Sequence, residues 1–120
     1  MELNKLRQIT IQEEILLNHL INISNYSIDQ NWKEKIRVKF LNDGNMGSLE
    51  LFVNDDFDEY RFFGKQISEC SFFDSDGVKV IVSLNIDTNG NLFELDIWKT
   101  DFSPLIKIPT DISLFHSDLN

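Results

Sequence analysis

Apolar residues recur at helical spacing near the start of the chain. The segment Thr10-Ile11-Gln12-Glu13 has the form of a capping box, in which Thr10 begins a helix and Glu13 reaches back to its backbone. Apolar positions then recur every three or four residues, which places them on one face of a helix. They are Ile11, Ile15, Leu16, Leu20 and Ile23, with Leu17 and Ile21 widening the stripe. The pattern predicts a helix over about residues 11–23 that is buried against a sheet.

After a polar connection at residues 24–31, the apolar pattern changes to a period of two. Residues 35–40 place three apolar side chains on one face and three basic ones on the other, which predicts a half-buried strand. A turn-rich segment at 42–47 separates it from a second alternating segment at 48–53. These two strands are expected to form a hairpin.

Two turns join the three clearest strands, which follow an aromatic run that Gly64 is expected to end. At Asn89-Gly90, a two-residue type I′ turn is expected. At residues 74–77, a three-residue loop ending in a left-handed Gly77 is preferred, because the two-residue alternative would bury Glu69 without a partner. The strands are predicted at 66–73, 78–87 and 91–99. The expected apolar pairs are Ile86 with Phe93, Leu84 with Leu95, Val82 with Ile97, Phe72 with Val80, and Cys70 with Val82.

The same register defines a second sheet face with polar and aromatic side chains. It places Asn85 beside Glu94, Ser83 beside Asp96, and Ile81 beside Trp98. Tryptophan supplies large contact area in protein interfaces, and carboxylates select basic partners. The candidate interaction surface comprises Ile81, Glu94, Asp96, Trp98 and Asp101. The last of these belongs to the turn that leaves the final strand, residues 101–104, which we call the exit turn.

These elements predict an α+β fold, with an N-terminal helix packed on a mostly antiparallel sheet of about five or six strands. At 120 residues the chain is expected to form a single domain, residues 1–120, that buries a core without disulfides. Leu105, Ile106 and Ile108 are expected either to form a short edge strand or to pack beneath the sheet. A short docking segment is expected within residues 110–120.

Negative charge is concentrated in the second part of the chain. Residues 1–39 contain six basic and five acidic residues, residues 40–120 contain five basic and fifteen acidic residues, and the formal net charge is −9. Such a field repels nucleic-acid phosphates and attracts basic surfaces. Solubility is the simplest explanation of the charge, and a basic protein partner is the more specific one. Nucleic-acid binding is disfavoured.

The cysteine count and the N-terminal sequence bear on the compartment. The single Cys70 excludes an intrachain disulfide framework and favours a reducing environment. The first residues lack the apolar core of a signal peptide, and no apolar run reaches membrane-spanning length. We therefore expect a cytoplasmic protein that does not contact membranes.

Candidate catalytic and metal-binding groups are sparse. Glu94 and Asp96 are two positions apart on a strand, so their carboxylates are expected about 7 Å apart, a separation that general acid–base catalysis can use. A small hydrolase-like enzyme using Glu94, Asp96 or Asp101 is therefore one alternative function. The two histidines lack the spacing of metal ligands, and the acidic segment at 54–59 lacks a calcium-loop pattern. No metal or cofactor is expected.

Three motifs carry a resemblance to a known family. They are Asp43-Gly44-x-Met46-Gly47-Ser48-Leu49, Asp76-Gly77-Val78 and, most specifically, Phe93-Glu94-Leu95-Asp96-Ile97-Trp98-Lys99-Thr100-Asp101-Phe102-Ser103-Pro104-Leu105. They are similar to motifs of a family of small uncharacterised bacterial proteins. The resemblance covers most of the chain, implies no assigned activity and carries over no catalytic residues. By size and charge, small acidic members of that family look like the immunity proteins of bacterial toxin systems.

The leading expectation is a non-enzymatic acidic binding module, in the form of an immunity-type inhibitor that occludes a basic bacterial toxin. The charge asymmetry and the shared face of two carboxylates and Trp98 favour it. One alternative is the hydrolase described above. The other is a purely structural role for residues 94–105, in which Asp101 caps the exit turn and Trp98 packs on Phe102 in a second small core.

Overall fold

The computed structural model of the protein describes residues 5–53 and 60–117. Its helices and strands, in chain order, are α1 (Ile11–Ile23), α2 (Trp32–Lys35), β1 (Arg37–Phe40), β2 (Leu49–Phe52), β3 (Phe63–Phe73), β4 (Lys79–Asp87) and β5 (Leu92–Lys99), followed by a 3₁₀ turn (Ile112–Leu114). The described strands form one antiparallel sheet in the order β1-β2-β5-β4-β3. The predicted α+β architecture is confirmed, with an N-terminal helix packed on a five-stranded sheet.

Helix α1 has the predicted bounds and the predicted capping box. The Glu13 N–H donates to the Thr10 hydroxyl (3.2 Å), and the Thr10 N–H donates to the Glu13 carboxylate (3.0 Å). The buried part of its stripe consists of Leu16, Leu17 and Leu20. Ile11 was predicted to share this stripe but is 74% exposed. Ile11 and Leu16 are five positions apart, which places their side chains about 140° from each other around the helix axis, so Ile11 points away from Leu16.

The first hairpin is present, but its opening strand is shorter than predicted. Residues 32–35 form α2 instead of entering the strand, because Trp32 is buried in the core there and β1 begins only at Arg37. Strands β1 and β2 pair antiparallel as predicted. The turn-rich segment at 42–47 joins them, and the Asp43 carboxylate accepts hydrogen bonds from the N–H groups of Met46 and Ser48.

Strands β3 and β4 have the predicted register. The loop between them has three residues, as predicted, with an Asp74 N–H to Val78 carbonyl hydrogen bond of 2.9 Å and a φ of +81° at Gly77. Both predicted apolar pairs are present, Phe72 with Val80 and Cys70 with Val82. Glu69 consequently lies on the opposite face, beside Ser83.

Gly64 lies inside β3, whereas the sequence predicted that it would end the preceding run. A Cβ at this position would collide with the carbonyl oxygen of Asp87 on the neighbouring strand. The register also shifts between Phe63 and Lys65, which marks a β-bulge. Glycine therefore permits a close approach of two strands here and does not terminate one of them.

Strands β4 and β5 keep the predicted register except near their turn. Val82 faces Ile97 and Leu84 faces Leu95, as predicted. Ile86, however, faces Leu92 and not Phe93, so this predicted pair was wrong. Phe93 is the extra residue of a β-bulge in β5.

The turn between β4 and β5 explains this departure. It is a three-residue loop, closed by a hydrogen bond of 2.9 Å from the Asp87 N–H to the Asn91 carbonyl, and not the predicted type I′ turn. Gly90 has a φ of +83°, but Asn89 does not have the positive φ that a type I′ turn also requires. The Asp87 carboxylate favours the longer loop by accepting hydrogen bonds from the N–H groups of Asn89 and Asn91.

The core lies between α1 and one face of the sheet, to which all five strands contribute apolar residues. Ile108 and Phe115 complete this core from the C-terminal segment, and Phe115 confirms the predicted docking segment. Of the two alternatives for residues 105–108, packing against the core is observed for Leu105 and Ile108, while Ile106 is 61% exposed. Within the described ranges, no helix is long and apolar enough to cross a membrane.

Candidate functional site

The sheet face opposite α1, which we call the outer face, carries the predicted interaction residues of the strands. The alternation that buries Leu95 and Ile97 turns the intervening side chains of β5 outward. The three predicted cross-strand pairs are present: Asn85 with Glu94, Ser83 with Asp96, and Ile81 with Trp98. Ile81 and Glu94 are half-buried, and Asp96 and Trp98 are exposed. The described chain therefore leaves this part of the outer face open.

Glu50, Glu94 and Asp96 form an acidic cluster on the outer face. Glu50 lies directly opposite Glu94 across β2 and β5, and Asp96 is the next outward residue of β5. Partial burial raises the pKa of Glu94 above its ordinary value of 4.5, Asp96 and Glu50 raise it further, and Arg61 offsets part of the rise. Glu50 was not predicted as part of the site, because it belongs to a strand distant in sequence and no local pattern indicates that β2 pairs with β5.

Trp98 and Phe102 form an exposed aromatic pair close to the acidic cluster. Their ring centroids are 5.9 Å apart, with the ring planes inclined at 54°. Trp98 is 41% exposed and Phe102 is 68% exposed. The pair thus contacts solvent and does not form the second small core that the structural alternative predicted.

Phe102 has an unusual backbone conformation. Its φ of +64° lies in the left-handed region, which bulky residues rarely adopt. The residue closes a turn in which the Phe102 N–H donates to the Lys99 carbonyl (2.8 Å). This reversal of the chain brings the Phe102 ring back beside Trp98.

Asp101 stabilises the exit turn, as the structural alternative predicted. Its carboxylate accepts hydrogen bonds from the Ser103 hydroxyl (2.6 Å) and the Ser103 N–H (3.0 Å). These two hydrogen bonds, the hydroxyl bond first, lower the pKa of Asp101 below its ordinary value. Asp101 therefore differs from the other predicted surface residues, which lie on strands of the outer face.

A buried ion-pair network at the end of β5 was not predicted. The Lys99 ammonium donates to the carboxylates of Asp74 (2.9 Å) and Asp76 (2.7 Å) and to the Pro104 carbonyl (3.1 Å). Its side chain is fully buried. Burial alone would lower the pKa of Lys99, but the hydrogen bonds to Asp76 and Asp74 outweigh it and the pKa is raised. The only sequence signal was a lysine at an inward position of an alternating strand, which requires partners from elsewhere in the chain.

Asp74 extends this network to the segment after the exit turn. Its carboxylate also accepts hydrogen bonds from the N–H groups of Ser75 (2.7 Å), Ile106 (2.8 Å) and Lys107 (3.0 Å). Burial alone would raise the pKa of Asp74, but the hydrogen bonds, led by that from Ile106, outweigh it and lower the pKa below 3.8. The network fixes the exit turn against the hairpin of β3 and β4.

Arg61 contacts two aromatic rings beside the acidic cluster. Its guanidinium carbon lies 4.7 Å from the centroid of the Phe52 ring and 4.9 Å from that of the Phe93 ring. Its Nη2 lies 3.2 Å from the Glu50 carboxylate, and its Nη1 donates to the Leu92 carbonyl (3.2 Å). The side chain is only 11% exposed. Aromatic faces and a carboxylate thus hold an arginine within this chain.

The structure contains only part of the geometry that a hydrolase using Glu94, Asp96 or Asp101 requires. The raised pKa of Glu94 suits a general acid, but Glu94 and Asp96 lie on an open sheet face and Asp101 is bonded to Ser103. Two cavities of about 210 and 270 Å³ are lined by none of these carboxylates. Among the described residues, no group of three or more His, Cys, Asp or Glu is arranged to hold a metal ion. The acidic segment at 54–59 lies outside the described residues.

Comparison with known proteins yields one finding. Residues 6–109 match a family model described as "Domain of unknown function (DUF6984)", which covers most of the chain. No curated protein and no solved structure matches the chain. The expectation of an uncharacterised family is confirmed, and the match assigns no activity.

Proposed function

We propose that this chain, which belongs to the DUF6984 family of unknown function, is a non-enzymatic module that binds a basic protein through its outer face. The observation that carries the proposal is the exposed Trp98 beside the acidic cluster of Glu50, Glu94 and Asp96. Exposed tryptophan next to carboxylates is a combination suited to protein interfaces, because the ring supplies contact area and the charges select the partner.

The electrostatics of the acidic cluster support this proposal. The raised pKa of Glu94 means that ionisation of this side chain lowers the free energy of unfolding of the free protein. A cationic partner surface would relieve the repulsion among the carboxylates. The formal net charge of −9 would also accelerate association with such a partner.

The specific form of the proposal is an immunity-type inhibitor that occludes a basic bacterial toxin in the cytoplasm. Support for it comes from the small size, the acidic charge and the resemblance to small acidic bacterial proteins. Inhibition by occlusion requires an open docking face and no catalytic group, which is consistent with the exposure of Asp96 and Trp98.

The test is a binding assay against the products of neighbouring genes at low and high salt. Glu94→Gln/Asp96→Asn removes two charges from the outer face, and Glu14→Gln/Glu34→Gln removes two charges from the helices as a matched control. We expect the outer-face variant to weaken binding by tenfold or more at about 0.05 M salt, and the control to change it little. A partner that binds without salt sensitivity, or that responds equally to both variants, contradicts the proposal.

The second candidate is a hydrolase-like enzyme, and the raised pKa of Glu94 is the observation that favours it. In that case Glu94→Gln would abolish hydrolysis of a suitable substrate while leaving substrate binding intact. Assay of the purified chain against ester, glycoside and phosphoester substrates distinguishes the two candidates. Activity that is lost in Glu94→Gln would replace the binding proposal.

A further inference from the structure

We infer that the outer face recognises an arginine side chain of its partner, stacked on Trp98 and paired with Asp96. The inference rests on the proposed function and adds the chemistry of recognition to it. Phe102 forms a second aromatic wall, 5.9 Å from Trp98 between ring centroids. Ile81, directly opposite Trp98 on β4, adds apolar surface beside the ring.

Within the chain itself, Arg61 already contacts aromatic rings and a carboxylate. Arg61 lies within 4.9 Å of two aromatic ring centroids and 3.2 Å from the Glu50 carboxylate. Guanidinium groups stack on aromatic faces and pair with carboxylates in this way because they are planar and weakly hydrated. The Leu92 carbonyl and, at 3.8 Å, the Asp87 carboxylate also surround this guanidinium, so Arg61 shows one set of groups that holds an arginine on this sheet.

An aromatic ring and a carboxylate recur farther along β5 with their surfaces exposed. Trp98 presents 41% of its surface, and Asp96 projects from the same strand face two residues away. The Asp96 carboxylate accepts one long hydrogen bond from the Ser48 hydroxyl (3.4 Å), which orients it and leaves further lone pairs for a partner. Within the described residues, no arginine or lysine forms an ion pair with Asp96.

The backbone of Phe102 supports a role for its side chain. Asn45 and Phe102 have nearly the same left-handed φ, 63° and 64°, which asparagine adopts readily and phenylalanine only rarely. A strained backbone that presents an exposed aromatic ring is typical of a functional site. The Lys99 network fixes the turn that carries this ring, so little conformational freedom remains to be lost on binding.

Arginine and lysine should therefore be distinguished by this site. The guanidinium group can cover the Trp98 ring and donate two hydrogen bonds to Asp96, whereas an ammonium group is compact and more strongly hydrated. A general acidic surface would bind both cations equally at the same charge. Preference for arginine is thus the signature of the inferred site.

The experiment uses the full chain, labelled with ¹⁵N, and two short peptides of equal length and charge. One alternates arginine with serine and the other alternates lysine with serine. Each is titrated in about 0.02 M salt, where exposed charges are weakly screened. We expect the arginine peptide to shift the Trp98 indole resonance and to bind with a Kd about tenfold lower than that of the lysine peptide.

Three variants assign this preference to the site. Trp98→Leu keeps the side chain apolar but removes the π face, and Asp96→Asn removes the charge, so each should reduce the arginine preference to about twofold or less. Phe102→Gly should weaken arginine binding while leaving Tm within about 2 °C, because relief of the left-handed strain offsets the lost ring contact. Phe63→Leu, at another exposed aromatic residue, is the control and should change neither quantity.

The outcomes separate this inference from the proposed function. Equal binding of both peptides overturns arginine recognition and leaves the basic-partner proposal standing. An arginine preference that survives Trp98→Leu also overturns the assigned site. If neither peptide binds at low salt, the basic-partner proposal fails together with the inference.

Discussion

Glu94 has a carboxylate on each side of it on the outer face, Glu50 across the strand pair and Asp96 along the strand. Most acidic residues of the described chain that have a shifted pKa have a lowered one, because hydrogen bonds or cations stabilise the charged form. Glu94 differs because burial and like charges both disfavour its ionised form. At the residue scale, Glu94 is therefore a position where the negative charge that the proposed binding requires disfavours folding.

Replacement of Glu94 by Gln should stabilise the protein at neutral pH. The folded-state pKa lies above the ordinary value of 4.5, so the folded state binds the proton more tightly than the unfolded state. The free energy of unfolding therefore falls as pH rises through the interval between the two pKa values, and the loss is complete above the folded-state pKa. Glu94→Gln removes that loss at pH 7 and should have no such advantage below pH 4.5. Urea unfolding followed by tryptophan fluorescence at pH 7 and pH 4 measures the difference.

Glu34→Gln, on the exposed side of α2, is the matched control for Glu94→Gln. It removes the same charge from the chain without relieving the acidic cluster. We expect its free energy of unfolding to stay close to that of the unchanged protein. A Glu94→Gln variant that is less stable than the parent at pH 7 would show that the carboxylate has a stabilising role, contrary to the pKa argument.

At the element scale, the Lys99 network joins the loop between β3 and β4 to two later segments of the chain, the end of β5 and the segment after the exit turn. A buried ammonium requires several partners, since its desolvation is costly. The position of the exit turn, and with it that of Phe102, therefore depends on residues of the loop between β3 and β4.

Replacement of Asp74 by Ala should destabilise the fold strongly. It removes one partner of the buried Lys99 and leaves the N–H groups of Ile106 and Lys107 without their acceptor. Breaking a buried charged network of this kind costs about 3 kcal/mol, which lowers Tm by roughly 10 °C in a domain of this size. Thermal unfolding followed by circular dichroism at pH 7 tests the expectation.

The pH dependence of the Asp74→Ala effect provides a second test. The folded-state pKa of Asp74 is below its ordinary value of 3.8, so its contribution is fully present above pH 3.8 and is lost as pH falls through the lower folded-state value. The difference in free energy of unfolding between parent and variant should therefore shrink on acidification. Asp111→Ala, which removes similar hydrogen bonds to Ser113 on an exposed turn, should cost much less. Equal losses in the two variants would contradict the role assigned to the network.

The elements that were predicted correctly are those governed by local chemistry. The capping box at Thr10 and the Asp74–Gly77 loop follow from neighbouring residues, and the period of two fixed the faces of β4 and β5. One error, the type I′ turn predicted at Asn89-Gly90, arose from the neighbouring Asp87 carboxylate. Other errors arose where groups distant in sequence intervened. Gly64 lies in a strand because of its approach to Asp87, and Glu50 entered the site through a pairing that no local pattern encodes. The acidic and aromatic face could thus be predicted, whereas the network that positions Phe102 could not.

At the scale of the whole molecule, the formal net charge of −9 acts on the fold and on its proposed complex in opposite directions. Self-repulsion of like charges disfavours the compact state, and attraction to a basic partner favours association. Salt screens exposed charges in both cases, but it has little effect on the buried Lys99 network. Salt therefore separates the contribution of surface charge from that of buried pairs.

Raising NaCl from about 0.02 to 0.5 M should increase the Tm of the free chain, because the screening length falls from roughly 20 Å to about 4 Å and the surface carboxylates no longer repel one another. The Tm of the Glu94→Gln/Asp96→Asn variant should rise less than that of the parent, since part of the repulsion has already been removed from the outer face. The Tm of Glu14→Gln/Glu34→Gln should rise nearly as much as that of the parent.

The same increase in salt should weaken binding of a basic partner. Because the two responses have opposite signs, loss of binding at high salt cannot result from unfolding. A Tm that falls with NaCl would mean that attractive surface pairs outweigh the repulsion, and the outer face would then lack the uncompensated negative charge on which the proposed docking depends.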